Sequence, residues 1–126
     1  MRISALLAAL ALSTLVPSAL LAHVQLIAST PTAESTAKAP KVITLTFSQP
    51  VDQASAAASI VMTAMPGMAN HGEMPIRNFT TSWSADSTTL TLTLKKPLPT
   101  GSYEVRWQAA AGDGHAMNGM VAFEVS

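Results

Sequence analysis

Between residues 62 and 74 the chain sets four methionines and a histidine close together: Met62, Met65, Met68, His71 and Met74. These are four of the seven methionines in a 126-residue chain that has no cysteine. A thioether sulfur is a soft, uncharged donor suited to Cu(I), and unlike a thiolate it forms no disulfide in an oxidising compartment. The competing use of methionine is to fill irregular gaps in a core. Pro66, Gly67, Asn70, Gly72 and Pro75 interrupt the run. That spacing predicts a loop, neither regular helix nor regular strand, with no core for its methionines to fill. Copper binding is therefore the preferred reading of this segment.

Two other places offer nitrogen and oxygen donors. Residues 1–22 have the form of a secretory leader: Arg2, an apolar run from Ile3 to Val16, then Pro17-Ser18-Ala19-Leu20-Leu21-Ala22. The run is broken by Ser13, Thr14 and Pro17 and is shorter than the ~20 residues of a membrane-spanning helix. Cleavage after Ala22 makes His23 the first residue of the mature chain; cleavage after Ala19 is the main rival. An N-terminal histidine presents its α-amine and its imidazole to one metal and closes a chelate ring. Both are nitrogen donors that favour Cu(II). The second place is Gly112-Asp113-Gly114-His115, where flanking glycines permit a tight turn. There Asp113 either binds a metal or orients an imidazole. A polar turn with an exposed histidine is the commoner meaning of such a motif taken alone. All three histidines of the chain, however, fall in loops or at the mature terminus, outside the alternating runs.

The elements that must position these groups are short strands. Val42–Phe47 alternates Ile43, Leu45 and Phe47 with Thr44 and Thr46; Thr89–Leu94 places three leucines on one side. Tyr103, Val105 and Trp107 alternate with Glu104, Arg106 and Gln108, and Val121, Phe123 and Val125 form a last strand. Period-two alternation with one polar face predicts antiparallel sheets buried on one side. Segments 24–28, 59–63 and 76–83 bring the expected number to about seven, with a hairpin connection at Ser84–Ser87 and a helical turn within 53–58. The density is that of an all-β Greek-key sandwich or small barrel, immunoglobulin-like or cupredoxin-like. Leu98-Pro99-Thr100-Gly101-Ser102-Tyr103 has the form of a tyrosine corner. Met120 is assigned to the core with the last strand and Met117 to the surface.

Residues 23–126 amount to one small domain, with no internal repeat or linker. The full chain has a formal net charge of zero. Without a clustered basic face it has no nucleic-acid footprint. The lack of cysteine excludes a disulfide framework, a thiolate zinc site and a blue-copper site. Nothing in the chain has the form of a hydrolytic triad, a phosphate-cradling loop or a paired-carboxylate motif.

Taken together, these residues resemble the CopC family of periplasmic copper carriers over essentially the whole mature domain. The resemblance rests on the leader ending before His23, on Ser29-Thr30-Pro31, and on Val61-Met62-Thr63-Ala64-Met65-Pro66-Gly67-Met68. It continues through Pro97–Tyr103 and Asp113-x-His115. It implies a Greek-key sandwich in the periplasm, not an enzyme. It also implies a Cu(II) site from the amine and imidazole of His23 with His115 and Asp113, and a Cu(I) site from three or four of Met62, Met65, Met68, His71 and Met74. The partners it implies are an inner-membrane copper transporter and a multicopper oxidase. The chain departs from the family pattern at Gln49, where an acidic residue sometimes assists Cu(II), at Ala116 in place of a proline, and in a Met68–His71 spacing longer by one.

Two other functions are weighed. An N-terminal histidine paired with a second histidine is also the brace of copper-dependent polysaccharide monooxygenases, but the small domain and few aromatic residues leave little for a substrate platform. A non-metal assembly sandwich leaves the methionine segment unexplained and predicts no stabilisation by copper.

Overall fold

The computed structural model describes residues 23–68, 72–112 and 114–126. The leader segment 1–22, His71 and Asp113 lie outside the described residues. The described residues form nine strands: β1 (Leu26–Thr30), β2 (Thr36–Ala37), β3 (Val42–Phe47), β4 (Ala57–Ala64), β5 (Met74–Ile76), β6 (Phe79–Trp83), β7 (Thr89–Leu94), β8 (Gly101–Ala110) and β9 (Ala116–Val125). They build two sheets, ordered β1-β3-β7-β6 and β2-β9-β8-β4-β5. The sheets stack as a sandwich and do not close into a barrel. Among the described residues there is no α-helix, and no helix is long and apolar enough to cross a membrane.

The alternation read from sequence becomes the interior. Ile43, Leu45 and Phe47 of β3 and Leu90, Leu92 and Leu94 of β7 line the inner face of one sheet, Tyr103, Val105 and Trp107 of β8 and Val121, Phe123 and Val125 of β9 line that of the other, and together they form one core. Each fully buried aliphatic or aromatic side chain contributes about 1.5–3 kcal/mol by leaving water. Thr44 and Thr91 pair on the opposite face of the first sheet, where β-branched hydroxyl residues suit a pleated, partly wet surface. Tyr103 stacks on Phe123 with ring centroids 5.7 Å apart, and its hydroxyl donates to the Pro99 carbonyl at 2.6 Å. This is the tyrosine corner expected from residues 98–103. Burial pushes the phenol up to about 12.

Three expectations need correction. Segment 76–83 is two strands: the chain leaves the second sheet after Ile76 and joins the first at Phe79. The crossing is made at Arg77 and Asn78, where the Phe79 N–H donates to the Arg77 carbonyl and the Asn78 carbonyl accepts from Lys95. Met120 is 54% exposed, whereas Met117 packs against the core. The inward positions of β9 are Met117, Gly119, Val121, Phe123 and Val125, so Met120 is one residue out of phase and pairs with Arg106 on the outer face. Finally, Met62 belongs to a regular strand and Met74 opens another, so the methionine segment is not all loop. The helical turn within 53–58 is a 3-10 turn at Gln53–Ser55, capped by the Asp52 carboxylate.

Candidate metal sites

His23 precedes Val24, which is fully buried and anchors this segment in the core. One residue on, the Gln25 N–H donates to the Ser48 hydroxyl at 3.0 Å and the Ser48 N–H donates to the Gln25 carbonyl at 2.8 Å. The segment carrying His23 is thereby tied to the end of β3. His115 stands at the foot of β9. Ala110 and Ala116 close the β8–β9 ladder, and in the connection the Gly114 N–H donates to the Ala111 carbonyl with φ of +80°. That left-handed conformation is the reason for glycine there. The end of β8 is braced by Ser55, whose hydroxyl accepts from the Ala110 N–H at 3.0 Å, and by the Asp52 N–H, which donates to the Ala110 carbonyl. Sequence reasoning missed these supports because a serine or aspartate in a turn carries no signal of what it will meet.

The fold brings the two histidines together from opposite ends of the domain. Their rings stack with centroids 5.1 Å apart and planes inclined by 19°. Among the described residues, His23 Nδ1 and Trp107 Nε1 are the buried side-chain polar atoms without a hydrogen-bond partner. A buried nitrogen left without a partner carries a desolvation cost of about 1–3 kcal/mol. His23 Nδ1 is also the ring nitrogen nearest its own backbone nitrogen, the one placed to chelate together with an α-amine. An imidazole pair with an unused inward nitrogen fits a borderline divalent ion such as Cu(II). Asp113, the carboxylate expected beside them, lies outside the described residues.

The methionines divide. Met62 is 3% exposed and part of the main core, where its methyl group lies against Gly101. A Cβ at Gly101 would fall 2.7 Å from the Ala64 carbonyl oxygen, so this closure of β8 on β4 requires glycine. Met65 is half-buried against the same core. Met68 and Met74 are 53% and 44% exposed. The Met68 N–H donates to the Met65 carbonyl at 3.0 Å, closing a turn over Pro66 and Gly67. Met74 sits directly opposite Met62 in the β4–β5 ladder, on the same face of the sheet. Met65 and Met68 thus follow the end of β4, and Met74 opens the β5 edge opposite buried Met62. His71 lies outside the described residues.

Residues 26–126 match the CopC domain family model. The chain belongs to the CopC family. It is 39% identical over 104 residues to copper resistance protein C of Pseudomonas syringae pv. tomato, covering 82% of this chain and 81% of that one. It is 35% identical over 105 residues to copper resistance protein C of Escherichia coli, covering 83% and 82%. The crystal structure of PcoC, a methionine-rich copper resistance protein from Escherichia coli, superposes with a TM-score of 0.74 at 33% identity, covering 83% of this chain and all of that one. In this CopC domain the family match takes in the methionine segment and the His115 loop, and begins three residues after His23.

Proposed function

We propose that this CopC-family protein carries copper as cargo at two separate sites, Cu(II) on nitrogen and oxygen and Cu(I) on thioether sulfur, in the periplasm. Membership of the family makes it a copper-binding resistance protein and not an enzyme, which sets the monooxygenase alternative aside. The observation that carries the Cu(II) reading is the His23–His115 ring pair at 5.1 Å with His23 Nδ1 buried and unpartnered. His23 and His115 supply imidazole nitrogen, Asp113 supplies oxygen, and removal of the leader at Ala22 frees the His23 amine to complete the chelate.

The Cu(I) reading draws its support from the exposed thioethers of Met68 and Met74, with half-buried Met65 beside them and His71 as the nitrogen donor of the segment. Met62 is the apolar floor of that site and not a ligand. Sites of opposite oxidation-state preference let a change of redox state move copper between them, or on to an inner-membrane transporter or a multicopper oxidase. Nitrogen binds a metal only through a lone pair free of a proton, so acid competes with Cu(II) for the site.

The test is a chelator-competition titration with Cu(II) on mature protein whose N-terminus has been fixed by intact mass. A form carrying one extra residue before His23 is the first control, and His115→Ala is the second. Tight one-to-one binding that collapses in both controls supports the reading. Equal affinity in the extended form would remove the amine from the site and overturn the N-terminal chelate.

A further inference from the structure

A charged clamp holds the far end of the methionine segment. Glu73, the residue before β5, reaches over β4 to Arg106 of β8, two strands away. Arg106 Nη2 donates to Glu73 Oε2 at 2.6 Å and Nη1 donates to Oε1 at 3.2 Å. The other edge of the same guanidinium is engaged by Glu104, which accepts from Nε at 3.0 Å and lies 3.0 Å from Nη2. The planar fork is therefore used on two sides: Glu104 sets its direction along the strand, and Glu73 receives it as a bidentate pair. A lysine would supply the charge without the geometry.

The clamp lies where β5 needs it. β5 is three residues long and sits at the sheet edge, and its middle residue is Pro75, which has no N–H to give the ladder. Before it comes Gly72, whose φ of +80° is a left-handed conformation. Two such features leave the chain little reason of its own to enter the sheet at one fixed point. Beneath the clamp lies Val61, buried on the outer face and outside the main core, with Pro75 and Glu104 as its ladder partners and Arg106 diagonally across from it. The ion pair thus covers an apolar residue as well as linking two strands.

We propose that Glu73 and Arg106 are positioning residues for Cu(I): by pinning the chain one residue before Met74, they hold its thioether at the end of the sandwich where Met65 and Met68 stand. This inference rests on the donor set assigned above. Successive residues of an extended chain face opposite ways. With the Glu73 carboxylate held on the outer face, Met74 is directed to the inner face, opposite Met62. Without the clamp the segment must be ordered at the moment copper binds, and the affinity falls by that amount.

The experiment measures Cu(I) affinity by competition with a chromophoric chelator under reducing, anaerobic conditions, in low and high concentrations of a non-coordinating salt. The variants are Glu73→Gln, Arg106→Lys, the double exchange Glu73→Arg with Arg106→Glu, and Met68→Leu and Met74→Leu as donor controls. In low salt, Glu73→Gln is expected to weaken Cu(I) binding about three- to fivefold, the range of a well-formed exposed ion pair. The gap closes in high salt, Arg106→Lys falls between, and the double exchange, which sets Glu104 beside a second carboxylate, recovers only part of the loss. Cu(II) affinity stays at the wild-type value in every clamp variant. If the methionine variants bind Cu(I) as tightly as wild type, the donor assignment fails and the clamp's role fails with it. If they lose binding while Glu73→Gln keeps it, the clamp proposal alone is overturned.

Discussion

Met62 and Met68 stand six positions apart in one methionine-rich segment, and burial separates them. Met62 is 3% exposed inside the core; Met68 is 53% exposed at a turn. Truncating a buried methionine removes its transfer energy and leaves a cavity, which costs about 2–5 kcal/mol. Met62→Ala lies in contact with Gly101, whose approach to β4 leaves no slack for collapse, so a loss of about 3 kcal/mol is expected. With a urea slope of about 1.5 kcal/mol/M for a domain of this size, the unfolding midpoint of the apo-protein falls by roughly 2 M. Met62→Leu conserves volume and costs less than about 1.5 kcal/mol. Met68→Leu changes stability by no more than about 0.5 kcal/mol. Cu(I) affinity follows the reverse order. Met68→Leu loses about tenfold or more, equivalent to about 1.4 kcal/mol of donor interaction, while Met62→Leu binds as wild type. Urea unfolding of apo-protein and anaerobic Cu(I) competition read the two quantities separately. A Met62→Leu variant that keeps its midpoint but loses Cu(I) would refute the assignment of duties by burial.

Two further predictions follow from packing. Tyr103 is the only tyrosine, and its folded phenol pKa, about 12, lies above the ordinary value of 10.0. Above pH 10.0 the unfolded chain ionises first, so stability falls as pH rises towards about 12, by on the order of 2 kcal/mol. Tyr103→Phe removes this alkaline slope and costs about 1 kcal/mol at neutral pH through the hydrogen bond to Pro99; urea midpoints across alkaline pH check both. A wild-type midpoint that stays flat through that range contradicts the burial argument. At Gly119 an added Cβ would fall 2.9 Å from Trp107 Cζ2 and 3.2 Å from Nε1. Trp107 is locked by its edge-on contact with Phe47, so overpacking of about 1–3 kcal/mol outweighs the roughly 0.5–1 kcal/mol gained by removing a glycine from a strand. A Gly119→Ala domain that melts higher than wild type would show that the ring has room to move.

The strands and the available donor chemistry are legible in the order of residues. Period-two runs such as Thr89–Leu94 fix which residues face inwards, because side chains alternate across a pleated strand whatever its partners are. Pro99 and Tyr103 announced their corner because that contact spans only a few residues. Cysteine-free composition, clustered methionines and loop-borne histidines limited the metal to one that accepts soft sulfur or borderline nitrogen. Which groups meet depends on how the two sheets pack. His23 and His115 are neighbours because β1 and β9 lie in different sheets whose ends coincide, a relation carried by long-range pairing and absent from any local pattern. The same holds for Glu73 and Arg106, whose bond depends on β4 lying between β5 and β8. Met62 read as part of a loop because the prolines and glycines that follow it mask the end of β4. Met120 was misplaced by one residue of phase, and in a strand one residue is the whole difference between core and solvent.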